Sequence, residues 1–255
     1  EMKKVSALPS DERENSLTTN EGIVKWTSEL KRQALKGVRH IYRSQEVPYL
    51  YRPFTKKWLY YDKDFVHRAG KYYKKFGDRN LVITTSGRGS TKDFSVLVCD
   101  TIPDMNSMSA GSQGFMRYDN EVDETSLFQN NDNMNQAFAD KLGLNLDDTF
   151  AYVYGLLNSK EYQEKYANDL KKDLARIPIV KNKERYVEVG QKLMDLHLNY
   201  EEVPVYDGVG ITTAKNPSYK VTKMRFAKKR DEKGKSVNDL STIIFNSDIT
   251  ISNIP

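Results

Sequence analysis

The sequence predicts an α+β fold: mixed sheets of short strands with a central helical segment, preceded by an N-terminal helical connector. Three observations carry this reading. Apolar residues form short runs before residue 100 and again after residue 220. Between residues 131 and 199 they switch to a spacing of three and four, the period of a helix. Strands and helices do not alternate regularly, which argues against a doubly wound sheet.

Residues 1–20 are polar without a sustained apolar period, so they read as an arm or linker. Val24, Leu30, Leu35, Val38 and Ile41 predict a basic-faced helix within residues 24–43, ending before Pro48. Strands follow at Tyr49–Tyr51, Trp58–Tyr61, Leu81–Thr85 and Phe94–Cys99, each bounded by Pro, Gly, Asp or Asn. Gly87–Lys92 is then a loop between two strands. Asn131–Leu142 and Asp148–Leu174 read as helices, the second carrying Phe150, Val153, Tyr154 and Leu157 on one stripe. Asp147 or Asp148 is expected to cap its start, and Pro178 lies beyond its end. A further helix spans Lys183–Asn199, with Tyr186, Val189, Leu193 and Leu196 at helical spacing. Strands return at Lys220–Ala227, Ser241–Phe245 and Asp248–Ile254. The expected organisation is an arm and connector over 1–48, then one domain over 49–255. Within it, 49–127 is β-rich, 128–200 helical and 201–255 β-rich. Because the chain begins at Glu1 and ends at Pro255, it is expected to be part of a longer polypeptide.

The single cysteine, Cys99, excludes an internal disulfide and fits a reducing cytoplasm. No signal-peptide pattern and no apolar run of membrane-spanning length occur. Net charge is only +5, but it is unevenly spread. Lys31–Arg79 holds fourteen Lys or Arg against four acids, a net of +10. Asp100–Asp148 has a net of −8, and Lys215–Lys235 a net of +7. Two basic blocks around an acidic one read either as an electrostatic footprint or as solvated loops.

Most catalytic chemistry lacks its residues here. There is no nucleotide P-loop, since Gly87-Arg-Gly-Ser-Thr-Lys92 has the wrong spacing. That loop could hold a phosphate with its amides and Arg88, or it could be a plain mobile hairpin loop. His40, His67 and His197 are too scattered for a zinc site, and His197 reads as a helix-packing residue. Cys99 reads as a buried inert thiol. Asp104 and the Asp231–Lys233 run make only a weak nuclease-like set. Stronger are the runs that interleave rings with cations, Arg52–Trp58 and Lys71–Lys75, which could track a phosphate backbone. Phe54 and Trp58 themselves are expected in the core. Lys223–Arg230 alternates as an edge strand would. It could enter a DNA groove, or its charges could protect that edge from aggregation.

Several ordered runs resemble one family. They are Tyr51-Arg-Pro-Phe-Thr-Lys-Lys-Trp-Leu-Tyr-Tyr-Asp62 and Gly87-Arg-Gly-Ser-Thr-Lys-Asp-Phe-Ser95, then Ile102-Pro-Asp104 and Ser112-Gln-Gly-Phe115. Asp169-Leu-Lys-Lys-Asp-Leu-Ala-Arg-Ile-Pro178, Gly190–Leu198, Lys223–Phe226, Ser241–Asn246 and Ile249–Pro255 follow. Over residues 24–255 this order resembles the C-terminal target-recognition (specificity) domain of Type ISP, single-polypeptide Type I-like restriction-modification enzymes. Phe115-Met-Arg-Tyr118 departs from the family's more usual Phe-Pro-Leu-Tyr, and the family usually continues past the final Ile-Pro, so the resemblance implies truncation in the last β-rich part. The resemblance implies a domain that performs no catalysis and binds no cofactor itself. It implies upstream nuclease, helicase and N6-adenine methyltransferase parts, using S-adenosylmethionine, ATP and Mg, in a cytoplasmic bacterial protein of phage defence. Its partners would be double-stranded DNA and those upstream domains, with no membrane and no metal. By charge and position, Arg88, Ser90, Lys92, Lys223, Arg225, Lys228 and Arg230 are the base-reading candidates. Lys56, Lys57, Lys71, Lys74 and Lys75 are assigned to phosphates. The competing expectation is a protein-docking module that contacts the motor or methyltransferase domains without reading bases.

Overall fold

The structure, a computed structural model, describes residues 1–38, 46–62, 65–66, 75–77, 79–121, 132–204, 206–221 and 223–255. The fold is α+β, in two compact units: Glu1–Tyr200 and Glu201–Pro255.

The first unit opens with α1 (Met2–Ser6) and α2 (Ser28–Leu35), so the expected arm is folded. Its few apolar residues suffice because two are fully enclosed: Val5 and Ala34 are 0% exposed. Arg13 ties the intervening turns down, donating to the carbonyls of Leu8 and Leu35 at 2.9 Å each. The connector helix is shorter than expected, and residues 39–43 of that expectation lie outside the described residues. Next comes a hairpin of β1 (Glu46–Arg52) and β2 (Thr55–Tyr60), which pairs in parallel through β1 with β5 (Ile102–Pro103).

The centre of this unit is an antiparallel sheet of β4 (Val96–Cys99), β3 (Val82–Thr85) and β6 (Gln113–Met116). Every residue of β3 and β4 is buried, as expected for strands covered on both faces. The period of two sorts their side chains. Val82, Leu97 and Cys99 pack with Leu50 and Phe76, whereas Ile83, Val96 and Val98 meet the helical layer.

That layer comprises α3 (Gln136–Leu142), α4 (Leu146–Leu157), α5 (Lys160–Lys165), α6 (Ala167–Lys172) and α7 (Lys183–Leu198). The expected long helix from Asp148 to Leu174 is three. It breaks where the Ser159 side chain caps α5 and again at Tyr166, whose backbone leaves the helical range. Asn145 caps α4, accepting from the Asp148 amide at 2.7 Å, in place of the expected aspartates. Asp147 instead binds Arg117, which is 3% exposed and also pairs with Asp132. Burial opposes that guanidinium's charge, but the hydrogen bonds it donates to Asp132 and Asp147 prevail and raise its pKa. Helices α4 and α7 touch backbone to backbone. A Cβ on Gly155 would overlap the Tyr186 carbonyl, and one on Gly190 would overlap that of Ala151.

The second unit is a four-stranded antiparallel sheet in the order β7 (Gly210–Thr213), β10 (Ile249–Ser252), β9 (Ser236–Ile244), β8 (Arg225–Arg230). Ile211, Ile251, Ile243 and Phe226 form one apolar row across it.

Candidate nucleic-acid interface

The loop between β3 and β4 has a buried neck and an open tip. At the neck, Ser86 and Ser95 share a 2.9 Å hydroxyl contact, and the Ser86 amide donates to the Ser95 carbonyl at 3.0 Å. Gly87 is held by its neighbours: its amide donates to Ser109 Oγ at 2.8 Å, and a Cβ there would overlap the Ala110 and Gly111 carbonyls. Gly89 has φ +75°, a conformation that glycine adopts without strain. Its amide donates to the Lys171 carbonyl at 2.7 Å. The expectation that the loop's amides hold a phosphate therefore fails for Gly87 and Gly89, whose N–H groups are already taken. Side chains remain. Arg88 and Lys92 are exposed, and neither has an ion-pair partner among the described residues. Ser90 is half-buried, and its hydroxyl accepts from the Lys92 amide at 3.1 Å. The structure thus brings these three candidates together on one anchored tip.

The phosphate candidates fare differently from one another. Lys56 lies 3.7 Å from Asp100 and over the Tyr200 ring at 5.8 Å. Lys75 pairs with Asp119 and, at 3.2 Å, with Glu121; its hydrogen bond to Asp119 is the main reason its pKa is raised. Arg52 meets Asp104 at 3.1 Å. In space, then, acids of the 100–148 block offset cations of the 31–79 block. The footprint is smaller than the charge runs in the sequence imply. Lys57 keeps its charge free: its Nζ lies 3.7 Å above the Tyr51 ring and makes no ion pair among the described residues. Lys71 and Lys74 lie outside the described residues.

In the second unit, Lys223, Arg225, Lys228 and Arg230 are exposed on and beside β8, an edge strand as its alternation predicts. Lys228 donates to Asn238 across the pair at 2.7 Å, and Arg230 to the Gly234 carbonyl at 2.7 Å. Arg225 and Lys223 have no ion-pair partner among the described residues. A bulge between Phe226 and Ala227 breaks the strand's alternation. The adjoining turn is rigid, with Asp231 Oδ1 accepting from the amides of Lys233 at 3.0 Å and Lys235 at 2.8 Å.

Two expectations about aromatic residues are corrected. Trp58 is 76% exposed and Phe54 44% exposed, so neither is a core residue. The strand period held a signal, since Trp58 shares a β2 face with Lys56 and stands opposite the exposed Pro48. His197 does pack as a helix residue, edge-on to Tyr154 and Phe54. Burial pushes the Cys99 thiol up to about 12, consistent with an inert thiol. Asp104 is engaged by Arg52 and by the Asn106 amide at 2.9 Å. Among the described residues no group of His, Cys, Asp and Glu could hold a metal ion, and no helix is long and apolar enough to cross a membrane.

An α+β module that offers cations on anchored loops is suited to holding a polyanion such as DNA. All of residues 1–255 match the family described as the Type ISP C-terminal specificity domain, and the chain belongs to that family. Among solved structures, it is 37% identical to a nuclease-deletion mutant of the Type ISP restriction-modification enzyme LlaGI in complex with a DNA substrate mimic, with a TM-score of 0.70. It is 33% identical to the ATP-dependent Type ISP restriction-modification enzyme LlaBIII bound to DNA, with a TM-score of 0.73. A DrdV–DNA complex shares the fold at 24% identity and a TM-score of 0.77. Each alignment covers 100% of this chain but only 24%, 17% and 26% of those chains, respectively. A search of curated proteins found no match.

Proposed function

We propose that this chain reads the sequence of double-stranded DNA for a larger restriction-modification polypeptide. The observation that carries the reading is the loop tip. Arg88 and Lys92 project from a neck fixed by Ser86, Gly87 and Gly89, free of ion pairs among the described residues. A guanidinium on a rigid loop is suited to bidentate contacts with a guanine edge, and ordered loops lose little entropy on binding. Relatives solved with DNA support the same reading.

In this account Arg88, Ser90, Lys92, Lys223, Arg225, Lys228 and Arg230 face base edges. Lys56, Lys57, Lys71, Lys74 and Lys75 face phosphates, with Lys57 the best placed of those described. The domain holds a target adenine for flipping into an upstream N6-adenine methyltransferase and directs the upstream helicase and nuclease. S-adenosylmethionine, ATP and Mg belong to those upstream parts, and the setting is cytoplasmic. Selection from a pool of random duplexes by this chain tests the reading. One enriched sequence, lost with Arg88→Ala, is the expected result, and an unenriched pool contradicts it.

A second reading, protein docking, draws on the second unit. Its apolar row includes Ile211, 64% exposed, and Phe226, 39% exposed, while Leu240 nearby on β9 is 64% exposed. Such a strip fits a partner's apolar surface better than a phosphate backbone.

A further inference from the structure

We infer that Trp58 is a stacking platform for an unpaired nucleobase, held ready on β2, an edge strand of the β1–β2 hairpin that carries Lys57 on its other face. This rests on the proposed reading of double-stranded DNA and adds the state of the DNA that is bound. The chain has two tryptophans. Trp26 is tied down, its Nε1 donating to the Thr18 carbonyl at 3.0 Å. Trp58 is 76% exposed, with Pro48, also exposed, across the ladder. An indole left bare on a flexible strand would be unremarkable, but this hairpin is clamped.

At its tip, Phe54 takes φ +53°, an uncommon choice for a bulky side chain. Its ring packs edge-on against His197 and Tyr200, with centroids 5.5 and 5.1 Å away. Arg52 is fixed to Asp104 and Lys56 to Asp100, and β1 is paired on its other side to β5. One β2 face is therefore anchored where Leu50 opposes Lys56, and opens where Pro48 opposes Trp58. Strained, over-determined backbone that carries an exposed ring points to a preset contact.

Charge identifies the occupant. Lys57, the residue before Trp58, points to the opposite face of this edge strand, exposed above the Tyr51 ring without an ion pair among the described residues, so a DNA strand wrapping the β2 edge would meet the indole on one side and the cation on the other. Arg52 lies 4.0 Å over the same ring. Protein interfaces deplete lysine at their cores, whereas single-stranded nucleic-acid sites pair aromatic platforms with cations that follow the backbone. Within an intact duplex both faces of every base are covered by neighbours. Only an unpaired or extruded base offers an open face to an indole, which is the state that base flipping creates.

The test uses the full chain with Trp26→Phe, so that Trp58 is its only indole. Two duplexes are compared, one fully paired and one identical except for a single abasic site that leaves the opposite thymine unpaired. Trp58 emission should be quenched by the abasic duplex and much less by the paired one. In the otherwise native chain, Trp58→Ala should weaken the abasic duplex about tenfold and the paired duplex by less than about twofold, measured by anisotropy of labelled DNA. Trp58→Phe should recover part of the loss. Duplex binding with unchanged emission, or equal weakening of both duplexes by Trp58→Ala, overturns the stacking role and leaves DNA recognition standing. Failure to bind either duplex overturns both.

Discussion

The Tyr154 hydroxyl lies 2.5 Å from His197 Nδ1 and 3.1 Å from the Val98 amide, joining α4, α7 and β4 at one buried point. The Tyr154 oxygen accepts from the Val98 N–H, and a neutral His197 with its hydrogen on Nε2 leaves Nδ1 to accept the hydroxyl proton. Burial lowers the pKa of His197, and burial raises that of Tyr154 to about 12. The sign follows from linkage. The unfolded chain binds a proton near pH ~6.5 that the folded chain resists, so this contribution is present above that pH and is lost as pH falls through the lower folded value. The denaturation midpoint should fall more steeply below pH ~6.5 in the native chain than in His197→Gln. Parallel pH profiles would show that His197 titrates freely.

The contact between α4 and α7 makes two glycines differ sharply in tolerance. Gly190→Ala places a methyl group against the Ala151 backbone, which cannot rotate away, and should cost about 3 kcal/mol. Gly89→Ala meets nothing within 4 Å and suffers only from its φ of +75°, so it should cost about 1 kcal/mol. Chemical denaturation of both variants checks the order. Equal losses would mean that the helices separate easily.

Arg88 and Lys57 should fail in different ways when truncated. Arg88→Ala should cost about 1–3 kcal/mol on the preferred sequence and relax the choice of base there. Lys57→Ala should weaken all duplexes alike and reduce the salt dependence by about one phosphate. Equal effects of Arg88→Ala on preferred and random DNA would remove its base-reading role.

Much of the fold was legible because its signals are local. The switch from strand runs to helical spacing located the helical layer, and Val96–Cys99 read as a strand because it is apolar throughout. The break of the long helix at Ser159 was visible only as a capping residue inside an apolar stripe, which outweighed it. Short strands such as Gln113–Met116 and Gly210–Thr213 escaped because their residues carry little period of their own and are placed by pairing partners far along the chain. The cationic tip at Arg88 and Lys92 was readable from glycine spacing and charge. The pairing of Lys56 with Asp100 and of Lys75 with Asp119 was not, because sequence blocks of charge say nothing of which acids fold back onto them. Trp58 was misread for a related reason. Its ring argued for the core, while its burial depended on which part of the β1–β2 face the core covers.

The most direct measurement is the affinity of this chain for duplex DNA as a function of salt. Lys57, Arg88 and Lys92 in the first unit lack ion pairs among the described residues, as do Lys223 and Arg225 in the second, so the chain should neutralise several phosphates. A plot of log affinity against log salt should be linear, with a slope of about −3 or steeper. A flat plot, or no duplex binding at low salt, would contradict the account.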